Sequence, residues 1–252
     1  MTPRFRLIAG PNGSGKTTLC ERLASEFAIN FYAMLNPDRL FAEASETRKI
    51  AAPLPIGGDE LEAYVAASSF PKTVLVPFQT GRIVLNDGLF RFLDANAVNT
   101  YSVSLITNFI QDRMIACRLS FSQETVFSHP SKVEALRQAK EQGFRTYLYF
   151  VATESPQINA FRVRDRVFKG GHDVPADKIV SRFERSLRNV APALPFLSRA
   201  FFFDNSGREM RYIASFDETR GWTLKDSVQS TPKWFFDAVP KPTIKHSPGS
   251  KT

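Results

Sequence analysis

The sequence predicts an α/β fold in which a parallel sheet of about five strands is covered by helices on both faces. Three observations carry that prediction. Phe5-Arg6-Leu7-Ile8-Ala9 is a short, mostly apolar strand that runs straight into the glycine-rich segment Gly10-Pro11-Asn12-Gly13-Ser14-Gly15-Lys16-Thr17-Thr18. The residues from Thr18 to Ala24 open a helical pattern with Leu19 and Leu23 on one face. The run from Arg145 to Ala152 is almost continuously apolar, as a strand covered on both sides should be. Strands that alternate with helices in this way form parallel crossovers.

The elements follow in order. Asn30 to Leu35 is a second strand, ending at Asn36-Pro37-Asp38. Residues 51–107 exceed what a connector needs and read as an insertion. It should hold a capped helix (Asp59 with Glu62, then Leu61, Tyr64 and Val65) and a hairpin pairing Thr73–Phe78 with Arg82–Asn86 through Gly81. Leu119 to Gln123 is the third strand, ending at Glu124-Thr125. Ser131 with Glu134 is a capping box, and the helix that it opens stops at Gly143. The fourth strand, Arg145 to Ala152, leads to Ser155-Pro156, an N-cap with proline at N1, and a helix towards Val167. Pro175 to Val190 carries Ile179, Val180, Phe183, Leu187 and Val190 on one stripe, and Ala200 to Asp204 is the fifth strand. The expected organisation is one domain over 1–239, with a lid region at 155–190 and a disordered basic tail at 240–252.

Composition sets the broad class. The chain has 252 residues, 43% hydrophobic and 23% charged, which suits a packed core and argues against global disorder. No apolar run approaches the roughly 18 residues of a membrane span. Met1-Thr2-Pro3-Arg4 leads directly into the first strand, so a cytoplasmic protein without a signal peptide is expected. Cys20 and Cys117 fall in helical patterns and are expected to be buried thiols, not a disulfide. The net charge of +8 is uneven: from Ile158 to Val190 eight basic residues face four acidic ones. That segment could be a nucleic-acid surface, a solvated helix face or an arginine-rich lid over a nucleotide.

The segment from Gly10 to Thr17 fits G-x-x-x-x-G-K-[ST] without a mismatch, in the strand–turn–helix context that the motif requires. Its glycines let consecutive N–H groups and a positive helix end face a polyphosphate. Gly10, Pro11, Asn12, Gly13, Ser14, Gly15, Lys16, Thr17 and Thr18 are therefore predicted to bind a nucleotide. Lys16 would reach the β- and γ-phosphates, and Thr17 would hold Mg²⁺. Absences narrow the chemistry. The chain has no Asn-Lys-x-Asp guanine reader and no Leu-Ser-Gly-Gly-Gln signature. Phe201-Phe202-Phe203-Asp204 looks like a Walker B strand, but Asn205-Ser206 stands where a catalytic carboxylate should follow. A kinase-like architecture remains. Three histidines and two distant cysteines make no metal cluster, so Mg²⁺ would arrive with the nucleotide.

Several segments, in order, resemble the zeta toxins and the small bacterial proteins grouped loosely with them as predicted ABC-type ATPases. They are Ile8–Thr18, Asn36-Pro37-Asp38, Ser120–Thr125, Arg162-Val163 with Arg166-Val167, Gly170-Gly171-His172-Asp173-Val174-Pro175, Arg182 with Arg185–Asn189, and Asp204-Asn205-Ser206. The likeness covers about residues 5–50 and 108–217. It implies ATP-dependent phosphorylation of a hydroxyl on a small acceptor, which in zeta toxins is a UDP-activated amino sugar. In a related effector of plant-pathogenic bacteria the acceptor is NAD. An antitoxin protein is the implied partner.

On that resemblance, Asp38 is the expected base and acceptor contact, placed at a strand end where open α/β sheets put their sites. Its ordinary alternative is a helix cap. Glu124 and Thr125 should face the acceptor pocket. Arg162 is expected on the nucleotide, and Arg166 and Arg182 are expected to clamp the transferring phosphoryl group. His172 is either a hinge-loop residue or an acceptor contact. Tyr64, Phe78, Gln79 and Arg82 of the insertion are candidates for the pocket wall. Two rival readings stand beside this one. A polynucleotide kinase would need a basic groove lined with stacking aromatics, whereas the basic residues concentrate in the lid and tail. A nucleotide-binding member of a toxin–antitoxin pair would need no activity of its own.

Overall fold

The computed structural model describes residues 1–170 and 174–239; His172 and the expected basic tail 240–252 lie outside the described residues. Strand β1 (Arg4–Ala9) leads into α1 (Lys16–Phe27), followed by β2 (Ala33–Leu35), α2 (Pro37–Thr47) and β3 (Lys49–Ala51). Next come α3 (Gly58–Ala67), α4 (Lys72–Gln79), β4 (Ile83–Asn86), β5 (Leu89–Phe92) and α5 (Thr100–Ala116). The chain continues through β6 (Phe121–Thr125), α6 (Ser131–Glu141), β7 (Arg145–Ala152), α7 (Pro156–Phe168), α8 (Ala176–Arg188) and α9 (Val190–Ala193). It closes with β8 (Arg199–Asp204), β9 (Arg211–Asp217), β10 (Gly221–Leu224) and α10 (Lys233–Ala238).

Two compact units divide these elements: Met1–Tyr32 with the chain from Ser122 onwards, and Ala33–Phe121. In the first unit the strands lie in the order β10-β9-β8-β7-β1-β6. Strand β1 pairs with β7 in parallel, Ala9 opposite Phe150, and β7 pairs with β8 in parallel, Ala152 opposite Asp204. This register brings the C-terminal ends of the three strands to one edge of the sheet. Open α/β sheets bind their ligands at that edge. Strands β9 and β10 extend the sheet in the antiparallel sense, beyond the five strands expected. An aromatic cluster fills one side of the sheet: Phe150 lies 5.9 Å from Trp234, and Phe202 lies 5.2 Å from Phe235. Burial of Trp234, Phe235 and Ala238 docks the short α10 there.

The second unit holds a three-stranded antiparallel sheet, β3-β5-β4, packed with α2, α3, α4 and α5. It reaches well beyond the expected insertion of 51–107. The expected hairpin is corrected as well: residues 72–79 form α4, and β4 pairs with β5 through Asp87-Gly88. Both turn residues have positive φ, +48° and +74°, the signature of a two-residue type I′ hairpin. Thr73–Phe78 has strand-like composition, but Pro77 cannot donate to a sheet ladder, and Val74 and Leu75 are buried from a helix. Helix α5 ends at its C-cap Cys117, a residue expected in a helical pattern, and Asn99 caps its start by accepting from the N–H groups of Tyr101 and Ser102.

Two further expectations change. The Ser131–Glu134 capping box does not form: Pro130 is the N-cap, and the Glu134 carboxylate instead accepts from Arg137 and Gln138. Cys117 is exposed at the end of α5, not buried, and both cysteines are free thiols. Among the described residues, no helix is long and apolar enough to cross a membrane.

Candidate functional site

The glycine-rich loop connects the C-terminal end of β1 to the first turn of α1, whose N-cap is Gly15. That turn carries Lys16 and Thr17 and no acidic side chain, so the positive end of the helix is uncompensated from within. Gly13 and Gly15 adopt φ values of +74° and +97°. A Cβ at Gly13 would stand 2.6 Å from the Asn159 carbonyl oxygen, and one at Gly15 would stand 2.4 Å from Asn205 Nδ2. Both positions need glycine for conformation and for space.

The loop is braced from two directions. Asn159 on α7, fully buried, donates through Nδ2 to the Asn12 carbonyl at 2.5 Å. Asn205, just after β8, donates through Nδ2 to the Ser14 carbonyl at 2.8 Å. Thr153 holds the other end of the Asn159 carboxamide by donating to Oδ1. Arg162, expected on the nucleotide, donates to the Asn205 carbonyl at 2.8 Å and to that of Gly207 at 3.3 Å. The Ser206 hydroxyl accepts from the Glu154 N–H and donates to Asp204, tying the turn after β7 to the one after β8. Asp204 itself is buried and accepts from Trp234 Nε1 at 3.0 Å, so it anchors α10 and does not open onto the loop as a Walker B carboxylate would.

Lys16 Nζ donates to the Pro11 carbonyl at 3.1 Å. The Thr17 hydroxyl donates to Glu124 Oε1, at the end of β6, across 3.4 Å. Cys20, one turn beyond Lys16, registers the same surroundings. Burial pushes its thiol up to about 12, the Glu124 carboxylate adds to the rise, and Lys16 opposes it. Thr125 is engaged locally, its Oγ1 accepting from the Phe127 N–H. Phe127 has φ +62° with its ring fully buried, a strained backbone for a bulky residue. Helix α8 holds that strand end: Ser186 donates to the Val126 carbonyl and Asn189 to that of Phe127.

The arginines separate by geometry. Asn159, Val163 and Arg166 are spaced i, i+4 and i+7 on α7, and the first two touch the loop at Gly13, so Arg166 shares the loop-facing side. Arg182 lies one turn before Ser186 on α8 and is half-buried, whereas Arg185 folds back onto the Ser181 carbonyl. The pair α7–α8 packs through Val163, Val174 and Ile179.

In the second unit, Asn36 and not Asp38 caps α2, its Oδ1 accepting from the N–H groups of Asp38 at 2.9 Å and Arg39 at 3.2 Å. Asp38 is exposed in the first turn, and capping makes no demand on its carboxylate. Among the candidates for the pocket wall, Tyr64 packs its ring tilted against Phe109 at 5.1 Å, and the pKa of its phenol is raised by burial and by Asp112. Arg82 pairs with Asp94 at 3.7 Å.

The donors suit a magnesium–nucleotide complex. Ser14 Oγ and Asn12 Oδ1 are buried in the loop without a hydrogen-bond partner, polar atoms of the kind that a phosphate shell satisfies. Thr17 and Glu124 offer two oxygens, the number that Mg²⁺ takes from a protein when phosphates and water complete its shell. Among the described residues, no group of three or more His, Cys, Asp and Glu could hold a metal alone.

Sequence reasoning assigned no role to Asn159 or Asn205. The available signal was a polar residue on the buried stripe of α7, and the asparagine that replaces the carboxylate after the fifth predicted strand.

No protein-family model matches the chain. An uncharacterized protein of Haemophilus influenzae is 31% identical over 65 residues, 26% of this chain and 46% of that protein. The structure of AvrRxo1-ORF1:-ORF2 with ATP superposes with a TM-score of 0.55 at 14% identity, over 89% of this chain and 61% of that one. A structure from the PezAT chromosomal toxin–antitoxin system of Streptococcus pneumoniae gives 0.51 at 13% identity, over 94% and 78%. At such identities the likeness establishes the fold. The chain spans about half of the curated relative and three-fifths of the first structure. The similarity to the zeta toxins read from the motifs extends to the three-dimensional fold.

Proposed function

We propose that the chain is an ATP-dependent phosphotransferase of the zeta-toxin type, acting on a hydroxyl of a small, nucleotide-containing acceptor such as a UDP-amino sugar or NAD. One observation carries the reading: a complete phosphate loop seated at the end of β1, with Glu124 against the Thr17 hydroxyl. When bound, ATP with Mg²⁺ supplies the phosphoryl group to be transferred. Phosphoryl transfer asks the protein mainly for positioning and charge neutralisation. The N–H groups of the loop and of the first turn of α1 receive phosphate oxygens, and Lys16 adds a positive charge among them. Thr17 and Glu124 are the residues that would hold Mg²⁺. Arg166 and Arg182 stabilise charge on the transferring group. Asp38 orients the acceptor hydroxyl and takes its proton, an effect worth typically 10²- to 10⁴-fold.

An antitoxin partner belongs to the same proposal, since one similar structure holds AvrRxo1-ORF1 with ORF2 and another comes from a toxin–antitoxin system. Incubation of the protein with ATP, Mg²⁺ and a metabolite extract, followed by mass spectrometry, tests the reaction. A product heavier by about 80 Da, one HPO₃ group, is expected. If no metabolite gains that mass under conditions where ATP binds, the protein is a nucleotide-binding member of a pair and not a kinase.

A further inference from the structure

We infer that Asn159 and Asn205 are positioning residues, each aiming one backbone N–H of the phosphate loop; this rests on the nucleotide-binding reading above. The argument begins with the planarity of the peptide. In a trans peptide the C=O of one residue and the N–H of the next point in opposite directions. Fixing the carbonyl of Asn12 therefore fixes the N–H of Gly13, and fixing that of Ser14 fixes the N–H of Gly15. Glycine is the residue whose backbone resists such aiming least, because both signs of φ are open to it. A loop with Gly13 at +74° and Gly15 at +97° needs an external restraint to hold these two peptides in one orientation.

The carboxamides supply it. Asn159 Nδ2 takes the Asn12 carbonyl at 2.5 Å, and Asn205 Nδ2 takes the Ser14 carbonyl at 2.8 Å. Neither asparagine is free to turn away. The Asn12 carbonyl can only accept, which settles that the Nδ2 end of the Asn159 amide faces the loop, and Thr153 Oγ1 holds the Oδ1 end. Asn205 is held by its backbone, its N–H donating to the Ala152 carbonyl at 2.8 Å and its carbonyl accepting from Arg162. Arg162 thereby acts on the loop through Asn205. Each asparagine governs one peptide, so the two can be tested apart.

The experiment uses the full chain labelled with ¹⁵N-glycine, titrated with Mg–ADP and separately with inorganic pyrophosphate. In the wild type the Gly13 and Gly15 amide resonances should both move on saturation with either probe. In Asn205→Asp, which keeps the size but loses the donor, the Gly15 response should collapse while that of Gly13 persists. Asn159→Asp should give the converse. Pyrophosphate affinity should fall about tenfold or more in each, as expected when a buried carbonyl loses its partner. A purely structural role would lower the unfolding temperature and leave both glycine responses and the affinity unchanged in the folded protein; that result overturns the inference. Should the fully buried Asn159 variant fail to fold, the half-buried Asn205 variant decides alone. A wild type that binds neither probe overturns the nucleotide reading itself, and this proposal with it.

Discussion

The Thr17 hydroxyl donates to Glu124 Oε1 across 3.4 Å, joining the first turn of α1 to the end of β6 over a separation of 107 residues. Either residue alone is an ordinary polar side chain at the end of an element. Together they form the oxygen pair, one residue from Lys16, to which the proposed function assigns Mg²⁺.

Replacing Lys16 by Ala should abolish ATP-dependent phosphorylation and leave the fold intact. Its side chain is only partly buried, and Nζ donates to the Pro11 carbonyl at 3.1 Å. Turnover and circular dichroism on the same preparation check this. Wild-type turnover in a native mutant would remove Lys16 from the chemistry.

Asp38→Asn should lower kcat by about 10²-fold or more with ATP affinity nearly unchanged, as the loss of a general base does. Stability should barely change, because Asn36 and not Asp38 caps α2. A nucleotide titration beside a turnover assay separates the two effects. An unaltered kcat would leave Asp38 as a surface residue.

Arg166→Ala and Arg182→Ala should each slow transfer by roughly 10³-fold, at the lower end of arginine-finger effects. Arg185→Ala should cost far less, since that guanidinium is turned onto its own helix. Equal, sub-tenfold losses at all three positions would make α7 and α8 a charged surface and revive the nucleic-acid reading.

Cys20 reports the electrostatics of the site without any nucleotide. Its thiol is pushed up to about 12, chiefly by burial, then by Glu124, with Lys16 opposing. Glu124→Gln should therefore lower the alkylation pKa of Cys20 and Lys16→Ala should raise it, read from the pH dependence of iodoacetamide modification in a Cys117→Ser background. The sign for stability follows from linkage. The reference value is 9.0 and the folded value is higher, so the contribution is whole below about pH 9 and is lost as pH rises towards 12. A rise in Glu124→Gln, or a fall in Lys16→Ala, would break the placement of Glu124 and Lys16 around α1.

The sequence by itself determined the phosphate loop and the alternation that builds the parallel strands β1, β7 and β8. These signals are local: a glycine pattern of fixed spacing, an apolar run, and Leu19 and Leu23 on one helical face, which are the two residues that α1 buries. It did not determine the second unit correctly. Val-rich Lys72–Gln79 became a helix because burial of Val74 and Leu75 outweighed β-propensity, and the Asp87-Gly88 turn moved the hairpin to β4 and β5. Nor did it reveal what holds the loop. Asn159 and Asn205 stand 147 and 191 positions from the carbonyls that they bind, at Asn12 and Ser14. Only the parallel register of β1, β7 and β8, which brings three strand ends to one edge, places their carboxamides there. A hydrogen bond between residues that far apart leaves no periodicity in the chain, so tertiary structure alone decided it.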